Sequence, residues 1–242
     1  MNPPTTAVIL AAGAGRRLGE LGRPTSKAMV PLLGRPLVQW VWQRLTVAGA
    51  QRVVVVAHAD DRQLQDFVRQ LAPEIRIVLQ NERRGIADAV LQALPEVNEE
   101  AYLACACDSL FDVADIGRLI EAGHARPSIA AVAVQEMGVA ATATRSAVEV
   151  RDSIVVRLLE KPAAGTTASP LVALPLYWLP AAVTPHLREA ALVGGERHVS
   201  TALNQFITAG GRVKAITVAH RTEVTTAADV AVAEAELRSV EG

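Results

Sequence analysis

The feature that most constrains this chain is an apolar run that ends abruptly in a pair of glycines. Ala7-Val8-Ile9-Leu10-Ala11-Ala12 has the length and β-branched content of a buried parallel strand. It stops at Gly13-Ala14-Gly15. Two glycines one residue apart let the backbone turn sharply and leave its amides uncovered, as a loop around a phosphate requires. Arg16, Arg17, Arg23 and Lys27 follow, so cations accompany the bare N–H groups. A Gly-x-Gly after a strand is by itself often only a strand-to-helix turn, and clustered arginines are often a solvated face. Together, the glycines and the cations point to phosphate.

Two familiar phosphate loops do not fit the spacing. A Walker A loop needs a glycine, four residues and then Gly-Lys-Ser/Thr. The dinucleotide fingerprint wants a third glycine where Leu18 stands, and Gly19 comes one place late. What the chain carries is Leu10-Ala11-Ala12-Gly13-Ala14-Gly15-Arg16-Arg17-Leu18, then Ser26-Lys27, then Pro31-Leu32-Leu33-Gly34-Arg35-Pro36. This resembles the signature of the sugar-1-phosphate nucleotidyltransferase family (sugar-nucleotide pyrophosphorylases). Their pattern is Leu-Ala-Ala-Gly-x-Gly-x-Arg, a gap, Pro-Lys, and an apolar run with Gly-x-Pro. Ser26 departs from it, standing where the pattern has proline.

The rest of the chain alternates strands with helices. Residues 36–49 read as a helix with Pro36 in the first turn, Leu37, Val41, Leu45 and Ala48 at helical spacing, and Gly49 as the stop. A second strand spans 52–57. Asp60 or Asp61 then caps a helix carrying Leu64, Phe67, Val68 and Leu71, and a third strand spans 75–79. A fourth covers 101–107, with a helix beginning near Asp112. Such alternation implies right-handed crossovers and an α/β, doubly wound, mainly parallel, Rossmann-like mixed sheet. Ligands then sit beyond the carboxyl ends of the strands, where Gly13-Ala14-Gly15 falls. From Pro127 the pattern changes to strands at 129–135, 147–150 and 154–159, with Arg151-Asp152-Ser153 as a tight connection. Helices at 180–192 and 199–209, a strand at 212–218 and a last helix to about 240 complete the chain. At 242 residues it fits a single domain with a full core. About 1–126 would form the NTP part and about 127–242 the acceptor part.

The resemblance assigns roles to further residues in order. Its phosphate loop, Leu10 to Gly15 with Arg16, holds the triphosphate, and Lys27 neutralises charge on the α-phosphate. The segment from Gln80 to Ala89 has the family's Gln-x4-Gly spacing, in which the glutamine and the backbone of Gly85 and Ile86 read the base edge. Ile86 replaces the family's threonine. Asp108, at the carboxyl end of the fourth strand, could merely cap the helix that follows. Asp112 already suits that task, and an NTP reaction needs a hard oxygen ligand for Mg²⁺. In the family the corresponding aspartate holds the metal and follows a glycine, where Cys107 stands here. Glu160-Lys161-Pro162 matches the family's Glu-Lys-Pro, in which the glutamate reads sugar hydroxyls and the lysine holds the acceptor phosphate. Such a tripeptide is also common as a solvent-facing strand end. Ala147 and Val172 fall on the acceptor side by the same correspondence. Glu223 would be the second metal ligand. Thr225 stands where an aspartate would ligate better, and Asp229, inside the first turn of the last helix, reads as a helix-dipole residue.

The correspondence thins at Ser169-Pro170-Leu171-Val172-Ala173-Leu174-Pro175-Leu176-Tyr177. There Pro170 and Pro175 take the places of an asparagine and a glycine, and proline has no N–H to donate. The implied reaction is Mg²⁺-dependent transfer of a nucleotidyl group from an NTP to a phosphorylated acceptor, a sugar-1-phosphate. A cytidylyltransferase for phosphocholine or another phospho-alcohol or phosphonate is the runner-up; a choline group would want aromatic faces, for which Tyr177 and Trp178 are the candidates. A nucleotide-binding relative that has lost catalysis is the third reading, motivated by Cys107, Thr225 and the two prolines. A net charge of −1 gives no argument for nucleic acid or membrane partners. No apolar run reaches membrane-spanning length. The start of the chain lacks a basic region followed by an apolar core, and Cys105 and Cys107 read as buried small hydrophobes, so a cytoplasmic protein is expected. His58, His124, His186 and His198 share no spacing and are assigned no chemistry. The base, the acceptor and the oligomeric state, homo-oligomer included, stay open.

Overall fold

The computed structural model describes residues 4–15, 18 and 26–241. In chain order the strands and helices are β1 (Thr6–Leu10), the short arms β2 (Pro31–Leu32) and β3 (Arg35–Pro36), α1 (Leu37–Val47), β4 (Arg52–His58), α2 (Arg62–Leu71), β5 (Arg76–Gln80) and α3 (Ile86–Ala93). Then come β6 (Ala101–Ala106), β7 (Ser109–Phe111), α4 (Val113–Ala125), β8 (Ala130–Glu136), the single turn α5 (Val139–Thr142), β9 (Ser146–Arg151) and β10 (Ile154–Glu160). The chain closes with β11 (Leu171–Pro180), α6 (Thr184–Glu189), the hairpin arms β12 (Leu192–Val193) and β13 (Glu196–Arg197), α7 (Val199–Thr208), β14 (Val213–Thr217), β15 (Arg221–Glu223) and α8 (Ala227–Glu241).

Nine of these strands form one mixed sheet in the order β5-β4-β1-β6-β11-β8-β14-β10-β9. β5, β4, β1 and β6 run parallel, and β11 is the first antiparallel member. The alternating pleat sends Ala7 and Ile9 of β1 to one face and Val8 and Leu10 to the other. The first face is covered by α1, α2, α4 and α8, the second by α3, α6 and α7. A strand apolar on both sides is what two covered faces demand. Cys105 and Cys107 share the first face, buried and free. Gly123 of α4 lets the indole of Trp178 approach; a Cβ there would lie 2.2 Å from it.

Three local expectations are refined. Asp61 caps α2, accepting from Leu64 N at 3.1 Å. Asp112 stands at the N-cap of α4 but makes no side-chain cap bond. The helix expected over 180–192 is much shorter. Pro180 is the last residue of β11, paired with Ala101, and Ala181 N bonds Glu100 O, so the chain stays in the sheet to that point. Residues 192–197 then form a hairpin whose central Gly194 and Gly195 have φ of 60° and 84°, the geometry two glycines permit in a two-residue turn.

Candidate active site

The carboxyl ends of the parallel strands open into a cleft of about 450 Å³. Its wall includes Leu10, Ala12, Gly13, Ala14 and Gly15 after β1, Gln80, Gly85 and Ile86 between β5 and α3, and Asp108 after β6. Lys27 completes this set. Ala11 is the exception in the run: its side chain is in the core and its N–H is spent on Val56 O. Arg16, Arg17 and Arg23 lie outside the described residues.

The two glycines of the loop differ physically. Gly15 has φ of 60°, and a Cβ there would sit 3.1 Å from Lys27 Cβ, so it is required by its own fold. A Cβ on Gly13 would meet nothing within 4 Å. The space in front of Gly13 is open to a ligand. Gly85 is held more tightly still. Its φ is 93° and its missing side chain admits the backbone of Arg197, whose N donates to Arg84 O at 2.7 Å. The loop at Gly85 is thus braced by the 192–197 hairpin. Gln80 Nε2 donates to the Asp88 carboxylate at 2.8 Å. A carboxylate only accepts, so that contact fixes the amide and leaves Oε1 as its accepting end.

Lys27 and Asp108 meet at the floor. Lys27 Nζ donates to Asp108 Oδ2 at 2.5 Å and Ser109 Oγ to Asp108 Oδ1 at 3.1 Å. The aspartate therefore serves the cleft and does not cap α4. Burial pushes the neighbouring Cys107 thiol up to about 12, with the nearby Asp108 charge adding to it, so the sulfur stays protonated and inert.

A second cavity of about 200 Å³ adjoins the first, and Ile86, Ala106 and Asp108 wall both. It brings together Arg145 and Ser146, Glu160, Ala173, Pro175 and Tyr177, His198 to Ser200, and Arg221 and Glu223. Glu160 accepts from Ser200 Oγ at 2.7 Å and from Ser146 Oγ, with His198 Nδ1 3.7 Å away. Lys161 is half-exposed with Nζ 3.8 Å from Glu160 Oε1, and is not part of the cavity wall. Nor are Ala147 and Val172. Both are fully buried and paired with each other across β9 and β11. Pro175 lies where β11 slips register against β8, between Ala173 and Tyr177, a bulge in which a missing N–H costs nothing. His198, to which the sequence assigns no chemistry, lines this cavity. Trp178 points the opposite way from Tyr177, into the other core layer, where His124 meets it edge-on. The aromatic pair a choline group would want is not assembled.

Glu223 arrives next to Asp108 because β15 pairs with β7 and Val224 N donates to Asp108 O at 2.9 Å. Its Oε2 accepts from Arg145 at 2.8 Å and Arg221 at 2.6 Å. Arg221 also reaches Ser109 Oγ at 3.2 Å, so one guanidinium is linked to both carboxylates. Two carboxylates in one cavity wall, Asp108 in the turn before β7 and Glu223 at the end of its partner strand β15, suit a hard cation. Among the described residues no three or more His, Cys, Asp or Glu side chains come together in a group that could hold a metal ion by themselves. A Mg²⁺ there would draw its other ligands from phosphate and water, as that ion prefers. Thr225 is no part of this. Its N and Oγ1, with Thr226 N, donate to Asp229 Oδ2, and Thr226 Oγ1 accepts from Asp229 N, which closes the start of α8.

Sequence reasoning missed Arg83, Arg145, Ser146, Ser200 and Arg221 as wall or network residues. Arg83 Nε donates to Ala12 O at 3.0 Å across the loop. The 192–197 hairpin that braces Gly85 carried a readable sign, the Gly194-Gly195 pair.

The family model described as the MobA-like NTP transferase domain matches residues 7–212. The UTP–glucose-1-phosphate uridylyltransferase of Escherichia coli K12 is 27% identical over 239 residues, covering 83% of this chain and 79% of its own. The bifunctional protein GlmU of Zymomonas mobilis is 38% identical over 90 residues, 37% of this chain. That match takes in 19% of the relative, so the chain spans about a fifth of its length. Among solved structures, UDP-glucose pyrophosphorylase complexed with UDP-glucose superposes with a TM-score of 0.86 at 17% identity, over 98% of this chain and 99% of that one. The inositol-1-phosphate CTP transferase from T. maritima gives 0.82 at 22% identity, over 99% and 97%. At these identities the structural likeness establishes the fold. No helix among the described residues is long and apolar enough to cross a membrane.

Proposed function

The chain belongs to the MobA-like NTP transferase family, and from that premise we propose that it joins an NTP to a sugar-1-phosphate, releasing pyrophosphate and a nucleotide-activated sugar. One observation carries the reading. The larger cleft and the smaller cavity share Asp108, beside Lys27. Two phosphorylated substrates, one in each, would meet at that carboxylate. In one domain, residues to about 126 would hold the nucleotide, and the remainder the acceptor and the closing helix.

In the proposed reaction an acceptor phosphate oxygen attacks the α-phosphorus in line, a new P–O bond forms, and the bond to the β-phosphate breaks. Little covalent chemistry is asked of the protein, so its work is positioning and charge neutralisation. The open face of Gly13 to Gly15, with Arg16, would hold the departing phosphates. Lys27 would face the α-phosphate, Gln80 and the Gly85-Ile86 backbone the base edge, Glu160 the sugar hydroxyls, and Lys161 the acceptor phosphate from the edge of the cavity. Asp108 and Glu223 would hold Mg²⁺, which when bound supplies positive charge to phosphate oxygens. Phosphocholine ranks below the sugar phosphates because Tyr177 faces the cavity without Trp178.

The test is pyrophosphate release with Mg²⁺, each NTP against hexose-1-phosphates, amino-sugar-1-phosphates, inositol-1-phosphate, phosphocholine and aminoethylphosphonate. The Escherichia coli relative makes UTP with glucose-1-phosphate the first pair. Release with one sugar phosphate, abolished by Asp108→Ala, supports the reading. Release with phosphocholine alone would overturn the acceptor class. Silence across the panel while an NTP still binds would overturn catalysis in favour of a nucleotide-binding protein.

A further inference from the structure

Glu223 is over-supplied with cations. A single oxygen, Oε2, accepts from two guanidiniums, Arg145 at 2.8 Å and Arg221 at 2.6 Å. The two partners are not equivalent. Arg221 is buried, its side chain 4% exposed, and it is also pinned to Ser109. Arg145 is 32% exposed, stands just before β9, and lines the smaller cavity. If Arg145 left, Glu223 would still keep Arg221. No buried charge would be stranded, so the exchange avoids the penalty that makes buried pairs hard to break.

The cavity needs such an exchange. Its wall holds three carboxylates, Asp108, Glu160 and Glu223, against two guanidiniums, both already paired with Glu223. With Lys27 on Asp108 and Lys161 near Glu160, a phosphate entering it would find each of these cations already beside a carboxylate. A guanidinium that turns from carboxylate to phosphate presents the same planar donor fork to a ligand it matches equally well.

Resting on the nucleotidyl-transfer reading above, we propose that Arg145 joins Lys161 in recognising the acceptor's phosphate, from inside the cavity, and that it leaves Glu223 to do so. Acceptor binding then takes one of the two cations off the Glu223 carboxylate. Arg221 is the fixed partner and Arg145 the exchangeable one. With one cation fewer on Oε2, the carboxylate is the better ligand for Mg²⁺ when the acceptor is in place, which couples the two subsites.

The test uses inorganic phosphate as probe, without metal or nucleotide, followed in ¹H–¹⁵N spectra of the whole chain. Shifts at the Ser146 and Ser200 amides report the smaller cavity, and shifts at Gly13 and Gly15 report the larger cleft. Arg145→Met should weaken phosphate at Ser146 and Ser200 at least tenfold and leave the Gly13 and Gly15 titration within twofold. Glu223→Gln removes the competitor for Arg145 and should tighten phosphate at the same amides several-fold. The double variant should behave as Arg145→Met does. A merely structural role for Arg145 would give no tightening in Glu223→Gln. Calorimetric titration with Mn²⁺ gives a second readout: Arg145→Met should bind the ion several-fold more tightly than wild type. Unchanged phosphate binding in Arg145→Met, or no tightening in Glu223→Gln, overturns the proposal. With a working NTP–acceptor pair, Arg145→Met should raise the acceptor KM at least tenfold at unchanged NTP affinity. A silent panel would overturn nucleotidyl transfer alone, because the phosphate titrations still decide the role of Arg145.

Discussion

Glycine-to-alanine changes at Gly85 and Gly13 should separate bracing from binding. Gly85 adopts φ 93° and ψ 177°, a region essentially reserved to glycine, where holding a side chain costs roughly 1–3 kcal/mol. The alanine Cβ would also lie 2.5 Å from Arg197 O and 2.9 Å from Arg197 N, both backbone atoms of β13. Backbone cannot rotate out of the way, so the hairpin must retreat, an overpacking cost of about 1–3 kcal/mol. The sum centres near 4 kcal/mol, and at roughly 2–4 °C per kcal/mol for a chain of this size the midpoint falls by about 8–16 °C. Gly13 is the control. It is not among the positive-φ residues and its Cβ would meet nothing within 4 Å, so Gly13→Ala changes stability by no more than about 1 kcal/mol. The methyl nevertheless enters the space assigned to phosphate, and NTP affinity should fall at least tenfold, about 1.4 kcal/mol. Thermal denaturation followed by circular dichroism, with calorimetric NTP titration, reads both. A Gly85→Ala midpoint within about 3 °C of wild type would refute the brace, and wild-type NTP affinity in Gly13→Ala would refute the phosphate loop.

Asp108→Asn should reduce turnover roughly 10²–10³-fold or more, because it removes the charge at the point the two cavities share; pyrophosphate release measures it, and a variant as fast as wild type would sink the assignment. Gly123→Ala sets a Cβ 2.2 Å from the Trp178 ring, so its thermal midpoint should fall by an amount set by about 1–3 kcal/mol of overpacking, with NTP affinity unchanged. At Asp229 burial raises the carboxyl pKa, but the hydrogen bonds from Thr225 and Thr226 outweigh it and hold the group below its ordinary value. The folded chain therefore gives up that proton more readily than the unfolded one. The stabilisation is complete above the unfolded value near 3.9 and is lost as pH falls through the folded value. Asp229→Ala should lose about 0.5–2 kcal/mol of cap stability near pH 7; the gap from wild type should close in acid, and a gap that widens would contradict the sign.

The larger cleft was legible because its residues lie in short segments that each follow a parallel strand. Gly13 to Gly15 leave β1, Gln80 to Ile86 lead from β5 into α3, and Asp108 leaves β6. A βα turn keeps its residues at the strand end, so recognising the strand also places the loop. What eluded the sequence there was a constraint from elsewhere, the Arg197 backbone against Gly85. The helix expected over 180–192 is shortened for a related reason. Pairing with β6 and β8 on either side holds residues 171–180 in the sheet as far as Pro180.

The smaller cavity resisted reading because no segment of it is sufficient. Its cavity is assembled from the start of β9, the end of β10, a bulge in β11, the start of α7 and the short strand β15. Each contributes one to three side chains, and none has a local spacing that announces the others. Ala147 and Val172 illustrate the consequence. A correspondence along the chain set them beside the acceptor, while the register between β9 and β11 points both into the core and leaves Ala173, one residue on, in the wall. On a strand a shift of one residue exchanges faces, so a one-place difference is enough to move a contact from ligand to core. The prolines follow the same logic. Pro175 departs from the family pattern as a hydrogen-bond donor, but in a bulge its ring is simply wall. The charged network of Arg145, Glu223 and Arg221 is the extreme case: its members lie up to 78 residues apart in the chain and meet only after the sheet has formed.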